Sequence, residues 1–296
     1  MTCGRLRRGF IVLGALAAMA RAPGAPDAPP ADFASALALY GDHRFSRARA
    51  IFEELAVGKP DDPELNFYLG RLALWFDEEA KGLAHLERAA KALPNDARIQ
   101  NALGDACGLT AQRAPILTKY SWARKCRAAY ERAVELDPRN PDYHWSLLAY
   151  DQAAPRFAGG SIEKAFAQAA EIRKIDAVDG RIAYATVCLA AGRADEAFAQ
   201  FDEVLRGKPD DFLALYNIGR CAAVSGRQLD RGIAALRKCL RLQPPPGEGM
   251  PRRVNVIYRL GDLFAKKGDA AAARIEYEFG RRTDPDFRPD KDSLKN

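Results

Sequence analysis

A pattern with a period of about 34 residues runs along most of this chain and constrains its fold more than any other feature. In its last copy, small residues stand at Gly261 and Ala273, a glycine stands at Gly268, an aromatic residue follows at Tyr277, and Pro285 closes the unit. Upstream copies place equivalent residues at Gly219, Gly226, Gly232, Leu236 and Pro244; at Ala185, Gly192, Ala197, Phe201 and Pro209; at Gly70, Gly82, Leu86, Ala89 and Pro94; and, in part, at Ala48, Phe52, Leu55 and Pro60. Two less regular copies contain Gly104, Cys126, Tyr130, Ala133 and Pro138, and Ala165 and Ile172.

Each copy holds two stretches of helical periodicity, joined by a Gly/Asp turn and closed by a proline turn. Small residues stand where two helices must approach closely, and an aromatic residue or leucine fills the gap one turn later. A single pair of this kind cannot bury its apolar face alone, so stacking of successive pairs is required. The sequence shows no strand pattern, which predicts an all-α protein.

With this period and these positions, the sequence resembles tetratricopeptide-repeat proteins from about residue 32 to 287. The resemblance implies a right-handed superhelical solenoid of about seven helix pairs with a concave groove. The predicted units span residues 32–62, 63–96, 97–140, 141–179, 180–211, 212–246 and 254–287. The implied function is that of a non-enzymatic scaffold or adaptor that binds protein segments in the groove. The alternative is a self-associating structural component of an envelope complex, since the short C-terminal tail offers little to cover the last pair.

The first 20 residues predict a cleavable signal peptide. Arg5, Arg7 and Arg8 precede the apolar run Gly9–Ala20, which ends in the small-residue pattern of a cleavage site, so we expect a cut after Ala20. This predicts a periplasmic or secreted protein with no membrane span after cleavage. General secretion is favoured over the twin-arginine route, although Arg7 and Arg8 resemble that motif. A Pro/Ala-rich linker at 21–31 and a polar tail at 288–296 complete the predicted organisation.

The sequence offers little material for catalysis. Its three histidines, His43, His85 and His144, fall in different units without metal-like spacing. No phosphate-binding loop, nucleophile elbow or zinc-protease motif occurs. The arginines of the signal supply half of the net charge of +6, which leaves a body too balanced to suggest a nucleic-acid partner. We therefore predict no enzyme activity, cofactor or metal, and a protein partner, which includes a second copy of the chain.

The tetratricopeptide resemblance implies which residues line the groove, namely certain positions of the first helix of each pair. Carried onto this chain, the peptide-groove candidates are Phe67, Arg71, Trp75, Asn101, Trp145, Tyr216, Asn217, Arg220, Asn255, Tyr258 and Arg259. Aromatic rings supply contact area, while Asn and Arg satisfy a peptide backbone or a carboxylate. The alternative for each ring is simple packing between units.

Three irregularities break the period, and the cysteines fall partly within them. About ten extra residues lie within Cys107–Cys126, a loop spans Ala154–Ser161, and a proline-rich stretch spans Gln243–Arg253. The first two are either tolerated surface insertions or a ligand-contacting lip, and the third is interpreted as a stiff spacer. Cys107 and Cys126 are the candidate pair for a disulfide that would fix the insertion, and the alternative is buried thiols that pack like alanine.

Overall fold

The computed structural model describes residues 32–245, 250–285, 287 and 289, and the described part is helical with no strand. Its fourteen α-helices are α1 (Phe33–Gly41), α2 (Phe45–Gly58), α3 (Pro63–Trp75), α4 (Glu79–Ala92), α5 (Ala97–Arg113), α6 (Ile116–Leu136), α7 (Pro141–Ala153), α8 (Ile162–Ile175), α9 (Ala177–Ala190), α10 (Ala194–Gly207), α11 (Phe212–Ser225), α12 (Leu229–Cys239), α13 (Arg253–Lys266) and α14 (Ala270–Thr283). A single turn of 3₁₀ helix, Arg156–Ala158, lies between α7 and α8. The predicted all-α repeat fold is confirmed. The predicted signal, the linker and nearly all of the polar tail lie outside the described residues.

The odd-numbered helices, α1 to α13, are the first members of the seven pairs, and most begin at a capping side chain. The N-cap residues of α1, α3, α5, α7, α9 and α11 are Asp32, Asp62, Asp96, Asn140, Asp176 and Asp211, and each side chain accepts a hydrogen bond from a backbone N–H of the first turn. Such a bond satisfies one of the amide groups that a helix start leaves without a partner. Four of these caps, Asp62, Asp96, Asn140 and Asp211, lie two residues after a proline and so restart a helix after the proline turn.

Glycine permits the close helix approach within a pair. A Cβ placed on Gly70 would lie 2.6 Å from Leu86, and one on Gly261 would lie 2.4 Å from the ring of Tyr277. These residues are the small and large members of the sequence pattern, so the interpretation of that spacing is confirmed. In the third pair the ring over Gly104 is that of Tyr130, at 2.4 Å. The extra residues lie between these two and lengthen α5 and α6 to 17 and 21 residues.

Apolar clusters join neighbouring pairs along the stack. The largest contains Phe198 and Phe201 of α10, each 2% exposed, together with residues of α9, α11, α12 and α13. Phe52 anchors the first cluster between α1, α2 and α3. Since each cluster takes side chains from consecutive helices, the pairs stabilise one another in sequence, as expected for a solenoid. None of the described helices is long and apolar enough to cross a membrane.

The loop between α7 and α8 is tied to the rest of the stack by hydrogen bonds. The Arg127 guanidinium on α6 donates to the Gly159 carbonyl at 2.7 Å and lies 3.4 Å from the carboxylate of Asp151. The Tyr150 hydroxyl donates to the carbonyl of Ala158 at 2.7 Å. Because the Asp151 side chain is 1% exposed, its burial raises the pKa of that carboxyl, against the pull of Arg127. The loop is therefore held in one place by buried polar contacts.

Candidate functional site

Two adjoining cavities, lined mainly by the first helices of the pairs, form the candidate binding site. The first cavity, of about 450 Å³, is lined by residues of α1, α2, α3, α5, α11 and α13. The second, of about 730 Å³, is lined by residues of α1, α3, α5, α7, α9 and α11. Tyr40, Arg71 and Asp105 line both cavities, so the two spaces are continuous. Their combined volume is that of an ordinary ligand pocket or larger.

All eleven peptide-groove candidates line one or both of these cavities. The first cavity takes Arg71, Trp75, Tyr216, Asn255, Tyr258 and Arg259, and the second takes Phe67, Arg71, Asn101, Trp145, Asn217 and Arg220. The repeat register therefore identified helix positions that face inward. That these residues bind a peptide stays a prediction.

Sequence reasoning missed several lining residues. Tyr40 and His43 come from the first pair, and Asp179 from α9. Met250 lines both cavities, and the neighbouring Arg252 lines the first. The interpretation of this stretch as a stiff spacer did not include that contribution. No local sequence pattern indicates that this connection lines the cavities, because its position relative to distant pairs depends on how all the pairs stack.

In the first cavity, Arg71 lies among aromatic rings. Its guanidinium carbon is 6.0 Å from the ring centre of Tyr40 and 5.6 Å from that of Phe67. Trp75 packs on Phe45 with ring centres 4.7 Å apart. The indole Nε1 of Trp75 is buried and has no hydrogen-bond acceptor within the described part of the chain. This end of the cavity therefore combines a cation, ring faces and a donor that lacks an acceptor.

Ion pairs hold the cations at the other end of the first cavity. Arg259 contacts the carboxylate of Asp262 at 2.9 Å, and Arg252 contacts that of Asp284 at 2.6 Å. The Tyr277 hydroxyl donates to the second oxygen of Asp262 at 3.0 Å. Burial, followed by the Asp262 charge, raises the pKa of this phenol above its usual range. These contacts fix the guanidinium groups in position before any ligand arrives.

In the second cavity, Trp145 and Asp179 form a fixed pair. The Trp145 indole N–H donates to the Asp179 carboxylate at 3.0 Å, and burial raises the pKa of that carboxyl. Across the cavity, Asn217 donates to the carbonyl of Leu213 at 2.9 Å, which leaves its second N–H for another acceptor. The Oδ1 atom of Asn101 is buried without a donor in the described residues. An acceptor without a donor and a donor with a free N–H suit a peptide backbone, whose own N–H and C=O groups can bond to them.

The candidate rings divide into two groups by burial. Phe67 and Tyr258 are only 4% and 5% exposed, and both pack against other rings, so packing is part of their role. Trp75, Trp145 and Tyr216 are half-buried and present more surface to the cavities. Packing between units, the alternative to peptide contact, therefore applies to Phe67 and Tyr258 more than to the three half-buried rings.

Within the described residues, the cysteines and histidines do not come together as a reactive centre. Cys107 and Cys126 lie buried in one cluster as free thiols, and the disulfide between them stays a prediction. Burial raises the pKa of these thiols to about 11 and about 12, so both are protonated at neutral pH. His85 contacts Asn66, and His144 contacts Gln168. No group of three or more metal-ligating side chains occurs within the described residues.

Comparison with known proteins agrees with the helical pairs. Residues 39–106 and residues 183–245 each match a model of the tetratricopeptide repeat. A thermophilic tetratricopeptide-repeat protein of Thermus thermophilus superposes with a TM-score of 0.51 at 20% identity, over 70% of this chain and 96% of that one. A repeat protein of Parabacteroides merdae gives 0.55 at 13%, over 85% and 91%. Yeast Tom70 gives 0.55 at 14%, over 82% of this chain and 49% of that one. No curated protein matches the sequence.

Proposed function

We propose that this chain, which contains tetratricopeptide repeats, is a non-enzymatic scaffold that binds segments of other proteins along its two cavities. Tetratricopeptide-repeat proteins generally mediate protein–protein interactions. The observation that carries the proposal is the lining of the cavities, which combines aromatic rings, guanidinium groups and side-chain amides. The apolar run and cleavage pattern of residues 1–20 support a location in the cell envelope, periplasmic or secreted, with general secretion as the route.

The chemistry of the lining favours an extended segment with acidic side chains or a free carboxylate. Five arginines line the two cavities, against three aspartates, Asp105, Asp142 and Asp179. The rings supply area at low entropic cost, and the amides bond the backbone. An acidic segment would meet arginines in both cavities, of which Arg98, Arg252 and Arg259 also hold carboxylate partners of their own.

The first test captures partners from an envelope extract on immobilised protein and then measures affinity for the captured segment. The variant Tyr216→Ala/Arg220→Glu should weaken binding about tenfold or more, since aromatic and arginine side chains dominate such interfaces. A matched control is Arg274→Glu on α14, whose side chain is 80% exposed and lines neither cavity. Isothermal titration calorimetry compares the three proteins. Equal affinity in all three proteins would show that the segment binds outside the cavities.

A second candidate function is self-association as a structural component of an envelope complex. The last helix, α14, exposes Ile275 and Phe279, which are 61% and 48% exposed. Terminal repeats need a polar outer face for solubility, and these two side chains depart from that requirement. If the chain stacks through this face, light scattering during size-exclusion chromatography should show mass rising with concentration. The variant Ile275→Glu/Phe279→Glu should then be monomeric, while a concentration-independent mass for the wild type would exclude this function.

A further inference from the structure

The two irregularities of units three and four meet in space and form an exposed apolar tip. The tip consists of Ile116, Leu117 and Tyr120 at the start of α6, together with Phe157 of the 3₁₀ turn. Leu117 is 91% exposed, Phe157 70% and Ile116 64%. The rings of Tyr120 and Phe157 touch edge to face, with centres 4.6 Å apart. Four of the ten large apolar side chains that are exposed in the described residues therefore stand together.

The tip stands out from the solenoid, and the extra length of α6 accounts for this. α6 has 21 residues, whereas α4, α8, α10 and α14 have 14 each. At the rise of an α-helix, the difference extends the hairpin by about 10 Å. None of the four tip residues lines either cavity. The tip is thus a separate surface, independent of the proposed peptide site.

The backbone beneath the tip is fixed, so the exposure is a property of the fold. The Gly159 carbonyl accepts from Arg127 at 2.7 Å and from the Lys164 ammonium at 3.1 Å. A Cβ on Gly160 would lie 1.9 Å from the Ala154 carbonyl oxygen, which shows how tightly the loop closes. Phe157 is therefore held outward by a loop that has little freedom to turn it inward.

The charge around the tip is positive. From Ala106 to Tyr130 the sequence has five cationic residues and no acidic one. Arg113 pairs with Glu79 at 2.6 Å, but Lys119 and Arg124 have no carboxylate partner within the described part of the chain. Arg156 adds another exposed cation beside Phe157, and the ammonium of Lys125 lies 4.1 Å from the ring centre of Trp122. Arg156 is also within electrostatic range of Glu163, so the cations that lack a carboxylate partner in the described residues are Lys119 and Arg124. An apolar point with an excess of cations around it complements a surface that is anionic outside and apolar beneath.

We propose that the tip is a peripheral membrane-docking site that binds the surface of an anionic lipid bilayer. Leu117, Ile116 and Phe157 enter the boundary between headgroups and acyl chains, as the apolar face of an interfacial helix does. Lys119 and Arg156 keep their charges at the headgroups, where each cation raises affinity on the order of fivefold. A protruding tip suits a flat, deformable bilayer, whereas it offers no groove to a folded protein partner.

Sedimentation with lipid vesicles tests this proposal on the full chain. We expect binding to vesicles of phosphatidylglycerol and phosphatidylcholine in about equal parts, weak binding to phosphatidylcholine alone, and loss of binding in high salt. The variants Leu117→Ser and Lys119→Glu/Arg156→Glu should each lower affinity about tenfold or more. The apolar run of residues 1–20 is common to all of these proteins, so differences between them report on the tip.

A matched control is Val57→Ser, which removes an 85% exposed apolar side chain at the end of α2 and should bind like the wild type. Circular dichroism checks that every variant is folded. Equal vesicle binding by wild type and both tip variants would overturn the proposal. So would loss with the charge variant alone, since insertion of Leu117 is part of it. Failure to bind vesicles would overturn it in favour of an acidic protein partner if a poly-glutamate peptide binds and this binding is weakened by Lys119→Glu/Arg156→Glu but not by Tyr216→Ala/Arg220→Glu.

Discussion

The variant Arg127→Met is expected to lower the free energy of unfolding by about 3 kcal/mol, because it leaves a buried carboxylate without its cation. The side chain of Asp151 is 1% exposed, and Arg127 is the cation that forms its ion pair. The same substitution removes the charge-assisted bond to the Gly159 carbonyl, which holds the α7–α8 loop. Urea unfolding monitored by circular dichroism measures the loss.

Two companion variants separate the buried charge from other effects. Arg132→Met removes an arginine from the same helix, but its side chain is 43% exposed and its ion pair with Glu135 faces solvent. That control should change stability by less than about 0.5 kcal/mol. Adding Asp151→Asn to Arg127→Met should restore part of the loss, since a neutral amide costs less to bury than an unpaired charge. An Arg127→Met protein as stable as the Arg132→Met control would contradict the role assigned to this pair.

The pH dependence of the Arg127→Met variant gives an independent check. Burial already raises the pKa of Asp151 above the ordinary value of 3.8, and loss of Arg127 removes the larger of two cationic influences that lower it, the other being Lys164. The folded state then binds a proton more tightly than the unfolded state does. The penalty is therefore full above the folded pKa and is relieved as pH falls through it. The stability gap to the wild type should be smaller at about pH 5 than at about pH 7.

The second large effect is expected for Gly180→Ala, at the junction of the fourth and fifth pairs. A Cβ at this position would lie 2.3 Å from the Cα atom of Arg173 and 2.6 Å from its backbone nitrogen. Alanine would favour helix α9 locally by as much as about 1 kcal/mol. The backbone of α8 has no rotamer by which to give way, so the two helices must separate. We expect a net loss of about 1–3 kcal/mol.

Gly207→Ala is the matched control for this prediction. Gly207 ends α10, and a Cβ there would meet nothing within 4 Å. That substitution should leave stability unchanged or raise it by up to about 1 kcal/mol. Thermal and urea unfolding should show a loss of stability for Gly180→Ala and no loss for Gly207→Ala. Gly180→Ala should also broaden the transition, because it weakens one junction of a linear stack. Matching transitions in the two variants would show that α8 and α9 do not meet as closely as described.

The fold was predictable because its rules are local and repeat. Gly70 with Leu86 and Gly261 with Tyr277 recur at one spacing, so each pair supplies the same evidence for close helix approach. The inward positions followed from the same register, and all eleven groove candidates line the cavities. Even the stretched third copy kept its contact, since Tyr130 lies over Gly104 despite the extra residues between them.

What the sequence could not predict depends on contacts between distant residues. Tyr120 and Phe157 lie in different units, and no local pattern indicates that their rings touch. Met250 reaches both cavities only because the small rotation of each pair accumulates along the stack. The contact between Arg127 and Asp151 is equally unpredictable, because nothing in the sequence indicates that the fold brings these two helical residues together. Periodicity determines which face a residue occupies, whereas the path of the stack determines what that face meets.

The first cavity takes its lining from both ends of the array, with Tyr40 in the first pair and Tyr258 in the last. In a linear array the terminal units have a neighbour on one side only, so fraying begins there and local opening is least costly. An occupant of this cavity would contact both fraying ends at once. The bound occupant would link the first pair to the last, so that the series of contacts between neighbouring pairs has no open end. Neither terminal pair could then open without releasing the occupant. Hydrogen exchange at α1 and α14 would then slow together on binding, although these helices lie at opposite ends of the chain.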